Sequence, residues 1–176
     1  PLLSMTTWGC LQTGIRYALA QGYASAVTID AEGRYEVEEL PKLVDASGRA
    51  DITVAYFAAS NSWPRRAAWQ WFRWVTGLGL RDFVSGFRLY NHSAMQIAAS
   101  TEATLLDHQD IGTLLLMKRE GKRIAEVPLA MLTPKIDRSK IFRSWAYAVR
   151  YVVASTLLSF AHGRRVSGDS EIRETF

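Results

Sequence analysis

Two spacings of apolar residues alternate along the chain. In residues 10–21 (CLQTGIRYALAQ), Leu11, Ile15, Ala18 and Leu19 recur at helical spacing, and Gly22 supplies a stop. Residues 25–30 form a short apolar run that reads as a buried strand ending on Asp30. Residues 36–46 open with acids and predict a helix that turns Leu40, Leu43 and Val44 inward. Asp51–Phe57 reads as a second strand. Pro64 opens a helix over 64–78 (PRRAAWQWFRWVTGL), broken by Gly77 and Gly79. RDFVSGFRLY, 81–90, predicts a turn or short strand, followed by helices over 91–99 and 108–120. Gly121 separates the last of these from a strand at 123–131. A polar loop, 133–140, then leads into a long amphipathic helix, 141–162.

Helix and strand in alternation predict an α/β layered domain with a largely parallel sheet. No repeat or linker divides the chain, so residues 1–162 read as one domain. The charged tail 163–176 is expected to be disordered. A length of 176 residues with 48% hydrophobic and 22% charged content suits a globular domain with a real core. The net charge of +4 suits an anionic ligand or a membrane surface and does not by itself indicate nucleic acid. Cys10 is the only cysteine, which excludes an intramolecular disulfide or a thiolate metal cluster and fits a reducing compartment. No signal peptide is visible, and the start at Pro1 without Met reads as a fragment or a processed product. The segment 141–162 is interrupted by Arg143 and Arg150, so it reads as an interfacial or packed helix rather than a membrane span.

Four stretches could hold chemistry. In VTIDAEGRY, 27–35, Asp30 and Glu32 lie at i and i+2 beyond a strand end, where ligands bind in open α/β sheets. They could share a hard divalent cation with a substrate phosphate, or Asp30 could cap the following helix while Glu32 is solvated. In SGFRLY, 85–90, Ser85 and the Gly86 backbone could donate to an anion and Arg88 could fork onto a phosphate, or Arg88 is simply an exposed strand residue. In LLDHQDIGTLLL, 105–116, the acids Asp107 and Asp110 either complement a helix dipole or present a carboxylate as a general base. The loop 135–143 carries Lys135, Arg138, Ser139, Lys140 and Arg143, which could hold a phosphate at a membrane surface or form a solvated charge run. WPRRAAWQWFRW is open to three readings: core packing, an interfacial patch or a nucleic-acid surface, the last being the weakest at this net charge.

Taken in order from about Trp8 to His162, these pieces resemble the family 2 glycosyltransferases. The similarity is to their polyprenyl-phosphate sugar transferase branch, the dolichol-phosphate mannose synthase-like group. It runs through WGCLQTGIRYALAQGY, VTIDAEGRYEVEELPKLV, DFVSGFRLYNHSAM, DHQDIGTLLLMKREGKRIAEVPLAM and RSKIFRSW. The resemblance implies a Rossmann-like GT-A domain and transfer of a sugar from a nucleotide-sugar donor to polyprenyl phosphate, assisted by Mg²⁺ or Mn²⁺. It implies that Asp30 and Glu32 hold the metal. Ser85, Arg88, Arg138, Ser139 and Lys140 would bind donor or acceptor phosphate, and Asp110 would be the catalytic carboxylate. It further implies a peripheral site on the cytoplasmic face of a membrane.

The chain departs from the family pattern in named places. The motif that usually reads Asp-Ala-Asp-Gly-Gln-His here reads Asp30-Ala31-Glu32-Gly33-Arg34-Tyr35. YFAASN, 56–61, lacks the usual arginine. The family's first strands, which build most of the nucleotide-base pocket, are not in this sequence, so the domain is expected to be N-terminally incomplete, with an open sheet edge covered by a partner or by a second copy. The alternative reading is a non-catalytic glycosyltransferase-like module that binds lipid phosphate or a partner protein.

Overall fold

The computed structural model describes residues 7–30, 36–56, 63–106, 109–130 and 153. The elements in chain order are α1 (Thr7–Ala20), β1 (Ser25–Thr28), a 3-10 turn (Val37–Glu39), α2 (Leu40–Asp45), a second 3-10 turn (Ala46–Arg49), β2 (Ile52–Tyr56), α3 (Trp63–Thr76), β3 (Arg88–Asn91), α4 (His92–Ala98), α5 (Thr101–Thr104), α6 (Gln109–Arg119) and β4 (Ile124–Pro128). The expected alternation is there, and the fold is mixed α/β. The expected helix at 141–162 and the tail at 163–176 fall outside the described residues, apart from Val153.

The four strands form one sheet in the order β1-β3-β2-β4. β2 and β4 are parallel, but β3 enters between β1 and β2 antiparallel to both. The sheet is therefore mixed rather than largely parallel. The pattern of apolar residues marks where strands lie but not which way they run. A second correction concerns β1, expected to be buried. It is an edge strand among the described residues, and Val27 and Ile29 are exposed.

Strand periodicity splits the core between the two faces of the sheet. Ile52, Val54 and Tyr90 pack with Trp8, Ile15, Phe72, Met95, Ile111 and Leu114 in the larger cluster. Ala55 and Leu89 pack with Leu43, Phe87 and Leu129 in the smaller one. Ile15 is buried and Leu11, Ala18 and Leu19 pack partly against the larger cluster, as the helical spacing predicts. Two polar side chains fasten α1 to α5 and to the end of α4: Trp8 Nε1 donates to Ala103 O (2.7 Å) and Gln12 Nε2 to Ala98 O (2.8 Å). In α2 Leu43 is fully buried, but Val44 is 47% exposed, because so short a helix turns a single side chain fully into the sheet.

One end of the sheet is closed by a clasp centred on Asp51. Its Oδ1 accepts from Asn91 Nδ2 (2.9 Å), its Oδ2 accepts from the Arg123 backbone N–H (2.8 Å), and its carbonyl accepts from Asn91 N (2.9 Å). The start of β2, the end of β3 and the start of β4 thus meet at one carboxylate. Asn91 also caps α4, accepting from Ala94 N (2.9 Å). The Arg123 N–H is the main cause that holds the Asp51 carboxyl below its ordinary value of 3.8, assisted by Asn91.

A depressed carboxylate pKa contributes stability above the unfolded value and loses it as pH falls through the folded value. Asp51→Ala is expected to lower stability by about 1–2 kcal/mol at neutral pH in urea unfolding, since hydrogen bonds to a charged group are lost. The difference from wild type should shrink as pH falls below 3.8. A variant as stable as wild type at pH 7 would mean that the clasp does not stabilise the sheet.

Candidate active site

β1, β2 and β4 run in the same direction, so their carboxyl ends lie together at the end of the sheet opposite the Asp51 clasp. Because β3 is antiparallel, its amino end is there too. Asp30 just beyond β1, the 82–87 loop leading into β3, and Leu129–Ala130 beyond β4 therefore share one end of the sheet. Glu32, Arg138, Ser139 and Lys140 lie outside the described residues.

Asp30 and the loop are in direct contact. The Thr28 hydroxyl donates to Gly86 O (2.9 Å), which ties the end of β1 to the loop. The next acid along the chain, Asp30, then lays its carboxylate against the Gly86 Cα. A Cβ at position 86 would overlap all three terminal atoms of that carboxylate. Gly86 is needed here for close approach rather than for an unusual φ.

The loop is held from every side. Arg88, 3% exposed, donates from Nε to Ser85 O (2.7 Å) and from an Nη to Phe83 O (3.1 Å). These two guanidinium bonds brace the loop backbone. Asp82 Oδ1 accepts from Val84 N (3.0 Å), and the Ser85 hydroxyl, also buried, accepts from Phe87 N (3.4 Å). From β4, Glu126 Oε1 accepts from both Arg81 N (2.7 Å) and Asp82 N (3.0 Å). From α3, Arg73 Nε donates to Leu80 O (2.7 Å). Burial raises the Glu126 pKa against the pull of the two N–H groups.

Asp110 stands in the first turn of α6, before the buried run Ile111–Met117. Burial pushes its carboxyl up to about 6; Arg88 opposes that rise, and the charges of Asp30 and Asp82 add to it. Asp30, Asp82, Arg88 and Asp110 therefore form one electrostatic neighbourhood, although they come from four places in the sequence. Its carboxylates can attract a cation, and Asp110 titrates close enough to neutrality to exchange a proton.

Asp30, Ser85, Arg88 and Asp110, singled out from the sequence, are thus brought together. Glu126 and Arg73 were not singled out, and they order the loop. Glu126 had a readable signal: it is the one acid in the otherwise apolar run IAEVPLAM. Among the described residues no group of three His, Cys, Asp or Glu side chains is placed to hold a metal ion, and none of the helices is long and apolar enough to cross a membrane.

Gly86→Ala is expected to cost about 1–3 kcal/mol in thermal or urea unfolding, as overpacking does. The cost should shrink in an Asp30→Gly background, because the atoms it strikes are then gone. Equal costs in the two backgrounds would mean that Asp30 and Gly86 are not in contact in solution.

No family model matches the chain. Curated relatives do. An undecaprenyl-phosphate mannosyltransferase from Micrococcus luteus is 27% identical over 147 residues, covering 76% of this chain and 59% of that protein. A polyprenol monophosphomannose synthase from Mycolicibacterium smegmatis is 30% identical over 143 residues, covering 73% of this chain and 53% of that protein. The chain spans about half the length of the curated relatives it matches. Among solved structures, one described as a nucleotide-diphospho-sugar transferase from Desulfovibrio desulfuricans aligns with 89% of this chain and 64% of its own, at 13% identity and a TM-score of 0.44. Over about three quarters of its length, this chain is similar to bacterial polyprenyl-phosphate mannosyltransferases.

Proposed function

We propose that this chain is the greater part of a family 2 glycosyltransferase domain of GT-A type, which moves a sugar from a nucleotide-sugar donor to a polyprenyl phosphate. The observation that carries the reading is the meeting of Asp30, the 82–88 loop and Asp110 at one end of the sheet, in a chain that two polyprenyl-phosphate mannosyltransferases match over about three quarters of its length. Mannose, named in both relatives, is the first sugar to try.

In this reaction the bond from the sugar C1 to the donor diphosphate breaks, and a bond from C1 to an acceptor phosphate oxygen forms. Negative charge grows on the leaving diphosphate. Mg²⁺ or Mn²⁺, when bound, would offset that charge. The residues fit such an ion. Asp30 supplies hard carboxylate oxygens at the strand end, and Gly86 leaves room for them beside the loop. Glu32 would be the second protein donor. One or two protein carboxylates suit a cation that takes its remaining ligands from phosphate and water.

The other residues act on the substrates. Arg88 braces the loop by holding the Phe83 and Ser85 carbonyls, so that the backbone at Ser85 and Gly86 is already shaped when donor or acceptor phosphate arrives. Asp110 orients the acceptor phosphate and takes its last proton when it arrives protonated; a phosphate needs no stronger base. Arg138, Ser139 and Lys140 hold the acceptor phosphate. The protein works at the cytoplasmic face of the membrane that carries the lipid.

The test is transfer from nucleotide-mannose and other nucleotide sugars to polyprenyl phosphate in vesicles, beside calorimetric donor binding. Donor binding should need Mg²⁺ or Mn²⁺ and disappear with EDTA. Asp30→Ala should reduce transfer by about a hundredfold or more. Asp110→Asn should leave donor binding in place while lowering kcat by about 10²-fold or more. Donor binding without transfer to any acceptor would favour the non-catalytic module. No donor binding, by this chain or by one extended at its amino end, would overturn the proposal.

A further inference from the structure

Arg88, the arginine that the sequence offers to a phosphate, is buried, and its guanidinium is committed to the carbonyls of its own loop. A phosphate that reaches this end of the sheet needs another cation. The chain supplies one at the start of the same loop. Arg81 is exposed, yet it is held at both ends. Its backbone N–H donates to Glu126 Oε1 on β4 (2.7 Å). Its Nη1 donates to the Tyr56 hydroxyl at the end of β2 (3.0 Å), and its Cζ stands 5.1 Å from the centre of the Tyr56 ring.

The arrangement suits an oxyanion better than a structural pair. Tyr56 engages one corner of the guanidinium fork, and the edge formed by Nε and Nη2 makes no hydrogen bond to a described residue. The ion pairs among the described residues do not include Arg81. Glu126 feels its charge, but that carboxylate is engaged by the Arg81 and Asp82 N–H groups. The Tyr56 hydroxyl accepts from Arg81 and keeps its own proton to donate. An arginine fixed against a ring in this way has less freedom left to lose when an anion binds.

Its place in the fold is the second observation. Tyr56 is the last residue of β2, at the sheet end that Asp30 shares. β3 lies between β1 and β2, so the two strand ends stand two spacings apart, about 10 Å. The loop spans that gap, with Arg81 beside Tyr56 and Gly86 against Asp30. Residues 57–61, which continue the chain from Tyr56, hold no Lys or Arg, so Arg81 brings to this strand end a cation that its own continuation lacks. The structure assigns to Arg81, positioned by Tyr56, the binding of a substrate phosphate at the end of β2. The assignment rests on the proposed transfer reaction, in which both substrates carry phosphate, the donor as a diphosphate and the acceptor as a monoester.

The experiment compares wild type with Arg81→Ala, Arg81→Lys and Tyr56→Phe in three measurements: calorimetric binding of inorganic pyrophosphate, calorimetric binding of the nucleotide sugar, and transfer at varied polyprenyl phosphate. Arg81→Ala should weaken pyrophosphate binding by about tenfold or more. Arg81→Lys should recover only part of it, because an ammonium keeps the charge and loses the fork. Tyr56→Phe keeps the ring and loses the bond to Nη1, and it should weaken binding by about threefold while kcat stays at the wild-type value. A loss confined to nucleotide-sugar affinity gives Arg81 the donor diphosphate, and a rise confined to the acceptor KM gives it the lipid phosphate. The backbone bond to Glu126 survives these changes, so the variants should unfold in urea as wild type does; if Arg81→Ala does not fold, Arg81→Lys carries the same comparison. Arg49→Ala, which removes an exposed arginine just before β2 at the Asp51 end of the sheet, should alter none of the three. Transfer by wild type that the Arg81 variants match in acceptor KM and donor affinity would overturn the assignment and leave the reaction standing. If wild type transfers nothing, the reaction falls and pyrophosphate still decides: wild type that binds none, or binds it no better than the Arg81 variants, overturns the assignment.

Discussion

The site depends on a missing side chain. The Asp30 carboxylate occupies the space where a Cβ of residue 86 would be, so the end of β1 and the loop before β3 can lie as close as they do only with glycine there. That contact requires β3 to run beside β1, which brings Gly86 to the strand end that presents Asp30. Everything else around the loop serves to keep it there. Glu126 holds its start, Arg88 its middle, and the Thr28 hydroxyl its end. An acid at a strand tip is common; an acid pressed onto a loop fastened from three strands is a fixed piece of geometry.

Electrostatics follow from this packing. The charges of Asp30 and Asp82 push the Asp110 pKa up, and Arg88 is the counter-charge that opposes them. The same guanidinium also holds two loop carbonyls. It therefore sets the shape of the loop and the charge beside it together, which a lysine, with its single compact charge, would not do.

The places of Asp30 and Asp110 in their elements were easier to read from the sequence than the sheet between them. Asp30 and Asp110 were legible because strand ends and first helical turns are where such chemistry sits, and both signals are local. The direction of β3 was not legible, since four residues, Arg88–Asn91, look alike whichever way they run. The face of the sheet on which Arg88 lies depends on that pairing, so its turn toward the backbone of its own loop could not be read either. Glu126 stood out as the one acid in its run, but its role was hidden for a related reason: among the described residues it lies in an edge strand, where an acid looks solvated until the loop that covers it is known. Val44, expected inward, shows how little a helical pattern fixes when the helix is six residues long.

The Asp51 clasp lies at the far end of the sheet from Asp30. Strand order and register are thus secured at one end, by groups remote from Asp30 and the 82–88 loop. The opposite end is left to loops. A domain divided in this way can change its loops, and with them what it binds, without renegotiating how its strands pair. New specificities would then arise by exchange of the segments after β1, β2 and β4, while the residues around Asp51 stay as they are.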